Sequence, residues 1–229
     1  MTRAAKPAPP ARGRRKKGEG PDLRKAILDA AEQLFAAHGF YGVTTRQVAA
    51  EAGVDTALIH YYFGAKRDLF DAVFARRAEI LNAVRVEAMA AYEAQSGGHM
   101  TPRGVVAAFI DPLIEMSLTG EPGWKNYFRL VALVNNTPAW GGETMHHYFD
   151  PVVHQFIDTL RKVMPQAQSP DLYWGYQFLT GSMMLALSET GRIDQLSEGL
   201  CRSTDLAAVR ARLFDYCAAG FEAIVAPRS

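Results

Sequence analysis

The stretch from Val43 to Phe63 constrains this chain more than any other. Thr44 supplies a hydroxyl suited to a helix start, Val48 and Ala52 follow at helical spacing, and Gly53 permits the left-handed backbone that ends a helix and turns the chain. Asp55 is placed to cap a second helix, with Leu58, Ile59 and Phe63 on its apolar side and Thr56, Ala57, Tyr61 and Tyr62 on or near the opposite surface. Gly64 stops that helix. Two short helices joined by a tight glycine-containing turn, the second presenting small, hydroxylated and aromatic side chains, make a helix-turn-helix, the arrangement that lays one helix in a DNA major groove. Buried helical hairpins imitate the pattern, so it carries weight only in a wider context.

That context runs from Asp22 to about Val73. Ile27-Leu28-Asp29-Ala30-Ala31-Glu32-Gln33-Leu34-Phe35 is followed by His38-Gly39-Phe40-Tyr41-Gly42-Val43-Thr44-Thr45-Arg46-Gln47-Val48-Ala49, then Ala57-Leu58-Ile59-His60-Tyr61-Tyr62-Phe63 and Lys66-Arg67-Asp68-Leu69. The block resembles the tetracycline-repressor (TetR) family. One departure is that the family's frequent Tyr-Tyr-His-Phe reads His60-Tyr61-Tyr62-Phe63 here, so side-chain roles carry over least directly at 60 and 62. The resemblance implies an all-α fold, with an N-terminal three-helix helix-turn-helix DNA-binding domain and a C-terminal helical domain for ligand binding and dimerisation. It also implies a DNA-contacting set of Thr44, Thr45, Arg46, Thr56, Ala57, Leu58, Tyr61, Tyr62 and Lys66. Arg46 is the candidate for guanine, Ala57 or Leu58 for a thymine methyl, and Tyr61, Tyr62 and Lys66 for phosphates.

A chain of 229 residues, 48% of them hydrophobic, can bury a substantial core in one large domain or two small ones. It holds no apolar run of membrane-spanning length, and its basic, Pro-rich start lacks the apolar segment of a signal peptide, so a cytoplasmic protein without a membrane partner is expected. Cys201 and Cys217, with no CxxC, argue for reduced, buried thiols and against a disulfide framework or cysteine zinc site. The net charge of +1 is uneven: residues 1–75 carry 12 Lys and Arg against 8 acidic residues, and the remainder 13 against 16. The surplus therefore lies beside the helix-turn-helix. Within 1–20, Arg3, Lys6, Arg12, Arg14, Arg15, Lys16 and Lys17 stand among Pro, Ala and Gly, a composition that does not fold alone. It reads either as a solvated tail or as a disordered basic arm that reaches phosphates or the minor groove.

In chain order, Asp22 is expected to cap a helix running to about His38, with Leu23, Ala26, Ile27, Ala30, Leu34 and Phe35 as its stripe. After the helix-turn-helix, Lys66 to about Gln95 forms one long helix or two collinear ones, since neither Gly nor Pro interrupts it. Further helices are expected near Thr101–Leu118, Gly123–Asn135, Glu143–Met164, Pro170–Thr190 and Thr204–Ala226, with a loop helix near Asp194–Cys201. The division that follows is a basic arm over 1–20, a helix-turn-helix domain over 21–67 and a helical effector-binding and dimerisation domain over 68–229.

The last two long helices are expected to pair two copies of the chain. Leu206, Val209, Leu213, Cys217 and Ile224 form one stripe and Ala207, Phe214, Ala218, Phe221 and Val225 a second, more apolar surface than one core needs. Gly181, Ser182, Leu185, Ala186 and Glu189 offer a small-residue face on the preceding helix. Such pairs build four-helix dimer interfaces in the family, and the homodimer is expected through 170–190 and 204–226. Both could instead be central helices of one domain.

The middle helices carry many adaptable apolar groups, of which Phe109, Met116, Phe128, Trp140, Phe149 and Met183 are the candidates to line an effector site; at this spacing such residues also serve as plain core. In the family this domain commonly encloses a small, often apolar effector. The stretch from Trp174 to Met184 looks faintly like the acyl-chain-responsive subgroup, which makes a fatty acid or acyl-CoA the leading ligand class. Glu143, His147, Asp150 and His154, with His146 beside them, share one helix face. Either they are a metal site or effector anchor, or they are a solvated face with local Glu143–His147 pairs, and one straight helix cannot converge four ligands on an ion. No Gly-x-Ser-x-Gly elbow, phosphate loop or His-Glu-x-x-His occurs, so no catalytic residue, cofactor or metal is expected. The reading is a ligand-released, DNA-binding transcriptional repressor acting on a palindromic operator; an effector-independent regulator or architectural DNA binder is the alternative.

Overall fold

A computed structural model describes residues 20–226, and among these the chain forms ten α-helices and no strand. The basic arm expected over 1–20 lies outside the described residues apart from Gly20. Helices α1 (Gly20–His38), α2 (Thr45–Ala52) and α3 (Thr56–Phe63) make a small head with the first turns of α4 (Lys66–Gln95). Because α1 starts at Gly20, Asp22 sits in its first turn and is not its cap, a position where a carboxylate still complements the helix N-terminus. Ile27, Ala31, Phe35, Val48, Ile59, Leu69 and Phe70 are sealed from solvent and form the core of the head.

α4 is a single helix of 30 residues, about 45 Å long at the α-helical rise. The expected boundary at 67/68 falls in its first turn, so head and body share one rod. The body continues through α5 (Pro102–Thr119), α6 (Gly123–Asn135), α7 (Gly141–Val163), α8 (Ser169–Leu187), α9 (Arg192–Leu196) and α10 (Leu206–Val225). α5 packs between α4 and α10, α8 lies along α10, and α6 reaches back to pack on α1.

Two expectations about the last helices are corrected. The two stripes of α10 do not each need a separate partner: Leu206, Leu213 and Cys217 are buried together with Phe214, Ala218 and Phe221 inside one chain, because α5 and α8 flank α10. Gly175 of α8 makes room for this, since a Cβ there would stand 2.3 Å from the Phe221 ring. α8 also ends at Leu187, short of Thr190. Glu189 follows with φ 47° and turns its carboxylate inward to Lys125 at 2.8 Å, so it does not belong to the small-residue face. What α8 leaves to solvent is a stripe of Trp174, Phe178 and Leu185.

Where α1, α4 and α6 meet, Glu32 is buried to 2% exposure. It accepts hydrogen bonds from Arg77 Nε at 2.6 Å and Nη2 at 3.0 Å and from Arg76 Nη2 at 2.7 Å, while Arg76 Nη1 donates to Asp29 at 2.6 Å. α6 begins against this cluster at Gly123, where a Cβ would lie 2.0 Å from Arg77 Nη2. Removing one member of a buried ion pair strands the other, so Glu32→Ala should lower unfolding free energy by about 3–5 kcal/mol. Urea titration checks this through a shifted midpoint at constant slope; a loss below about 1 kcal/mol would mean that the cluster contributes little.

Candidate nucleic-acid interface and ligand cavity

The helix-turn-helix is built by caps at both ends of each short helix. Thr44 accepts from Gln47 N at 3.2 Å and Gln47 Oε1 accepts from Thr44 N at 2.8 Å, a reciprocal box that starts α2. Gly53, at φ 67°, closes α2, and Asp55 then caps α3 by accepting from Ala57 N at 2.8 Å. At the far end of α3, His60 Nδ1 donates to Gly64 O at 2.9 Å. With both ends satisfied, α3 buries Ile59 and Phe63 and leaves Ala57, His60 and Tyr61 exposed, with Thr56, Leu58 and Tyr62 half-buried. Arg46 is exposed at the start of α2, and Tyr62 packs edge-on against Tyr61 at 5.2 Å.

Two expected DNA contacts have other duties. The Thr44 hydroxyl is engaged with Gln47. The Lys66 ammonium donates to Phe40 O at 2.8 Å and Val43 O at 2.9 Å and lies 4.3 Å from the Phe40 ring centre, which commits two of its three N–H donors to holding the turn before α2. That correction follows from chain geometry no local pattern contains, since the partners lie 26 and 23 residues away. Tyr41, in the same turn, is 75% exposed and was not singled out from the sequence; a large exposed aromatic beside a basic head was its only signal.

In the body, side chains from α4 to α8 converge on a small void of about 20 Å³, bordered by Arg85, Phe128, Met145, Phe149, Tyr176 and Met183. That is room for a single water. Arg85 is 4% exposed; its Nε donates to Phe109 O at 3.1 Å and its guanidinium lies 4.1 Å from the Phe109 ring centre. Burial lowers its pKa to about 10, leaving it a cation at neutral pH. An open groove of about 840 Å³ runs elsewhere, between α8, α10 and the 192–205 segment.

Residues 27–73 match the tetR family of bacterial regulatory proteins, and residues 107–220 match the tetracyclin repressor-like C-terminal domain. The chain belongs to the TetR family of DNA-binding transcriptional regulators. The transcriptional regulator BetI of Rhizobium meliloti is 39% identical over 95 residues, 42% of this chain and 43% of BetI. The transcriptional repressor BepR of Brucella suis is 33% identical over 95 residues, 42% of this chain and 45% of BepR. The matches thus span less than half of these relatives' length. The fold is shared with the fatty acid degradation regulator FadR of Bacillus halodurans, at TM-score 0.59 and 14% identity over 88% of this chain and 97% of FadR. The hemolysin II regulator HlyIIR has TM-score 0.59 and 16% identity over 86% of this chain and 97% of HlyIIR. TetR-family members are regulators and not enzymes, in line with the lack of a catalytic motif.

Within this TetR fold the six expected effector residues do not stay together. Phe128, Phe149 and Met183 border the void, and Phe109 sits next to it beneath Arg85. Met116 is half-buried away from the void. Trp140 packs edge-on against Phe40 at 5.5 Å and Phe70 at 5.2 Å, with the Arg67 guanidinium 4.9 Å from its ring centre. Trp140 therefore wedges α7 against the head and is no cavity wall, because the loop before α7 carries it to the α4 N-terminus. Cys217 is buried, and burial pushes its thiol up to about 11, whereas Cys201 is exposed, contrary to expectation. On α7 the local polar contact joins the His146 ring and the Asp150 carboxylate, not Glu143 and His147. No helix among the described residues is long and apolar enough to cross a membrane.

Lys66→Met keeps an apolar stem over Phe40 but leaves two carbonyls without a donor. It should destabilise the protein by about 1–3 kcal/mol and speed amide exchange in the 40–43 turn. Unchanged exchange there would return Lys66 to a purely DNA-facing role.

Proposed function

We propose that this TetR-family protein represses transcription as a homodimer bound to a palindromic operator and lets go when a small, predominantly apolar effector enters the void between α4 and α8. The observation that carries the DNA half is the exposure of α3, capped at both ends and fixed by Ile59 and Phe63 to a rigid core. Thr45, Arg46, Thr56, Ala57 and Leu58 would meet base edges, with Arg46 on guanine and Leu58 or Ala57 on a thymine methyl. Tyr61 and Tyr62 would hold phosphates, joined by the remaining N–H of Lys66. Residues 21–67 act as the reading head and 68–229 as the sensing and pairing body, with the basic arm adding sequence-independent affinity.

Pairing is supported by the exposed Trp174, Phe178 and Leu185 stripe on α8 and by the apolar groove beside it, where Val209 and Tyr216 of α10 meet Leu185 and Ala186. A second copy laid there would set two heads on successive major grooves about 34 Å apart or a modest multiple.

Release is supported by how α7 is latched to α4. Asn82 Nδ2 donates to Tyr148 O at 2.6 Å, Tyr148 OH donates to Asp71 O at 3.3 Å, and Arg67 Nη2 donates to Thr144 Oγ1 at 3.0 Å. Met145 and Phe149, on the same helix, border the void. A guest that displaces them moves α7, and α7 moves both the rod and the Trp140 wedge. A coupling of about 1–3 kcal/mol weakens operator affinity by one or two orders of magnitude. Methionine-rich walls fit an adaptable apolar guest such as a fatty acid or acyl-CoA.

Fluorescence anisotropy with operator variants tests the head. Arg46→Ala should lose about 1–3 kcal/mol of discrimination at one base pair, while Tyr61→Phe should weaken all sequences alike. Wild-type affinity and preference in Arg46→Ala would remove that residue from the reading surface. For pairing, Leu185→Glu should yield monomers in sedimentation and lose operator binding with the fold intact; a dimeric Leu185→Glu protein would place the interface elsewhere.

A further inference from the structure

We propose that Arg85 anchors the effector through a carboxylate, so that the effector is a monoanionic acid with an apolar body. This rests on the ligand-binding reading above and narrows it to one chemical class.

The other deeply placed guanidiniums meet a carboxylate, since Arg76 and Arg77 share Glu32, and the more exposed Arg67 and Arg210 pair with Asp71 and Asp111. Arg85 is the contrast. It is 4% exposed, yet among the described residues it meets only the Phe109 carbonyl at 3.1 Å, the Phe109 ring, and the Met183 sulfur, which stands 3.7 Å from Nη2 and is a weak acceptor. A guanidinium offers five N–H donors in a fixed fork, and an acyclic carboxylate is the group that fits two of them at once. A buried cation without a counter-charge is costly, and a leucine or methionine would fill the same space without that cost.

The fork borders the void in which α4 to α8 converge, and the void has a second polar side. The Tyr176 phenol forms part of the wall, and the Tyr127 hydroxyl, fully buried and without a hydrogen-bond partner, stands close enough to Arg85 for each to affect the other's ionisation. Burial raises both phenols, so they stay neutral and able to donate. An entering carboxylate therefore finds a cation and the neutral Tyr176 phenol on the same wall, while Phe128, Phe149 and Met145 receive the apolar remainder. Room is made by methionine rotation, and the first sulfur to move is that of Met183, which the carboxylate replaces at Nη2.

The test uses the full chain and titration calorimetry with hexanoate, octanoate and decanoate, each against its primary amide. The acids should bind roughly tenfold or more tightly than the amides, the difference between a charge-assisted pair and a neutral one. Arg85→Met should melt no lower than the parent protein and should bind acid and amide equally. Equal binding of acid and amide to the parent chain, or retained acid preference in Arg85→Met, overturns the proposal; if that variant does not fold, the parent comparison alone decides. A neutral or cationic compound that releases DNA while no acid binds also overturns the anchor but leaves the sensor reading standing. If no compound of any charge binds or changes operator affinity, the sensor reading fails and the anchor with it.

Discussion

The buried carboxylate of Glu32 between Arg76 and Arg77 is the joint on which the rest of the molecule depends. It ties α1 of the head to the junction of the third and fourth turns of α4, and α6 abuts it at Gly123. A rod can transmit a displacement only if its end is clamped, and the buried Glu32–Arg77 pair, with the half-buried Arg76 beside it, cannot slip apart without stranding a buried charge. Head and body therefore move as coupled bodies, even though the helix-turn-helix is only a few turns of chain.

The second attachment is softer. Trp140 leans on Phe40 and Phe70 by ring edges, and α7 meets α4 through hydrogen bonds at Arg67, Asn82 and Tyr148 and through Tyr148 and Phe149 packed on Phe74. Each such bond is worth on the order of 1 kcal/mol net and the ring packing is non-directional, so this contact can shift with less loss than the Glu32 cluster. One rigid joint and one yielding joint on the same rod form a lever, and the void bordered by Arg85 lies on the yielding side. The Lys66 ammonium strengthens the rigid side, because it fixes the turn before α2 to the very start of α4.

Local chemistry made much of this legible from the residues alone. Thr44, Gly53, Asp55 and Gly64 each act on neighbours within four positions, so the limits of α2 and α3 could be read without knowing the fold. The same holds for Gly123–Asn135, bounded by Pro122 and a polar Asn pair. Misreadings came where the outcome depends on distant partners. The role of Glu32 had no local signal, because its partner Arg77 lies 45 positions away. Lys66 looked free until the Phe40 and Val43 carbonyls claimed it. The double stripe of α10 looked like a demand for two partners, and α5 and α8 of the same chain satisfied most of it.

The sequence by itself determined most of the helices and the caps of α2 and α3, because those follow from backbone hydrogen bonding and side chains a few residues apart, and the resemblance of the 22–73 block identified the reading head. Tertiary structure alone decided which apolar side chains border a cavity and which merely pack, since Trp140 and Phe149 are alike in kind and differ only in what five converging helices bring opposite them. It also decided that Arg85, one of several arginines along α4, is the one left inside without a carboxylate. Charge compensation is a matter of distance in space, and a linear chain carries that information only once it is folded.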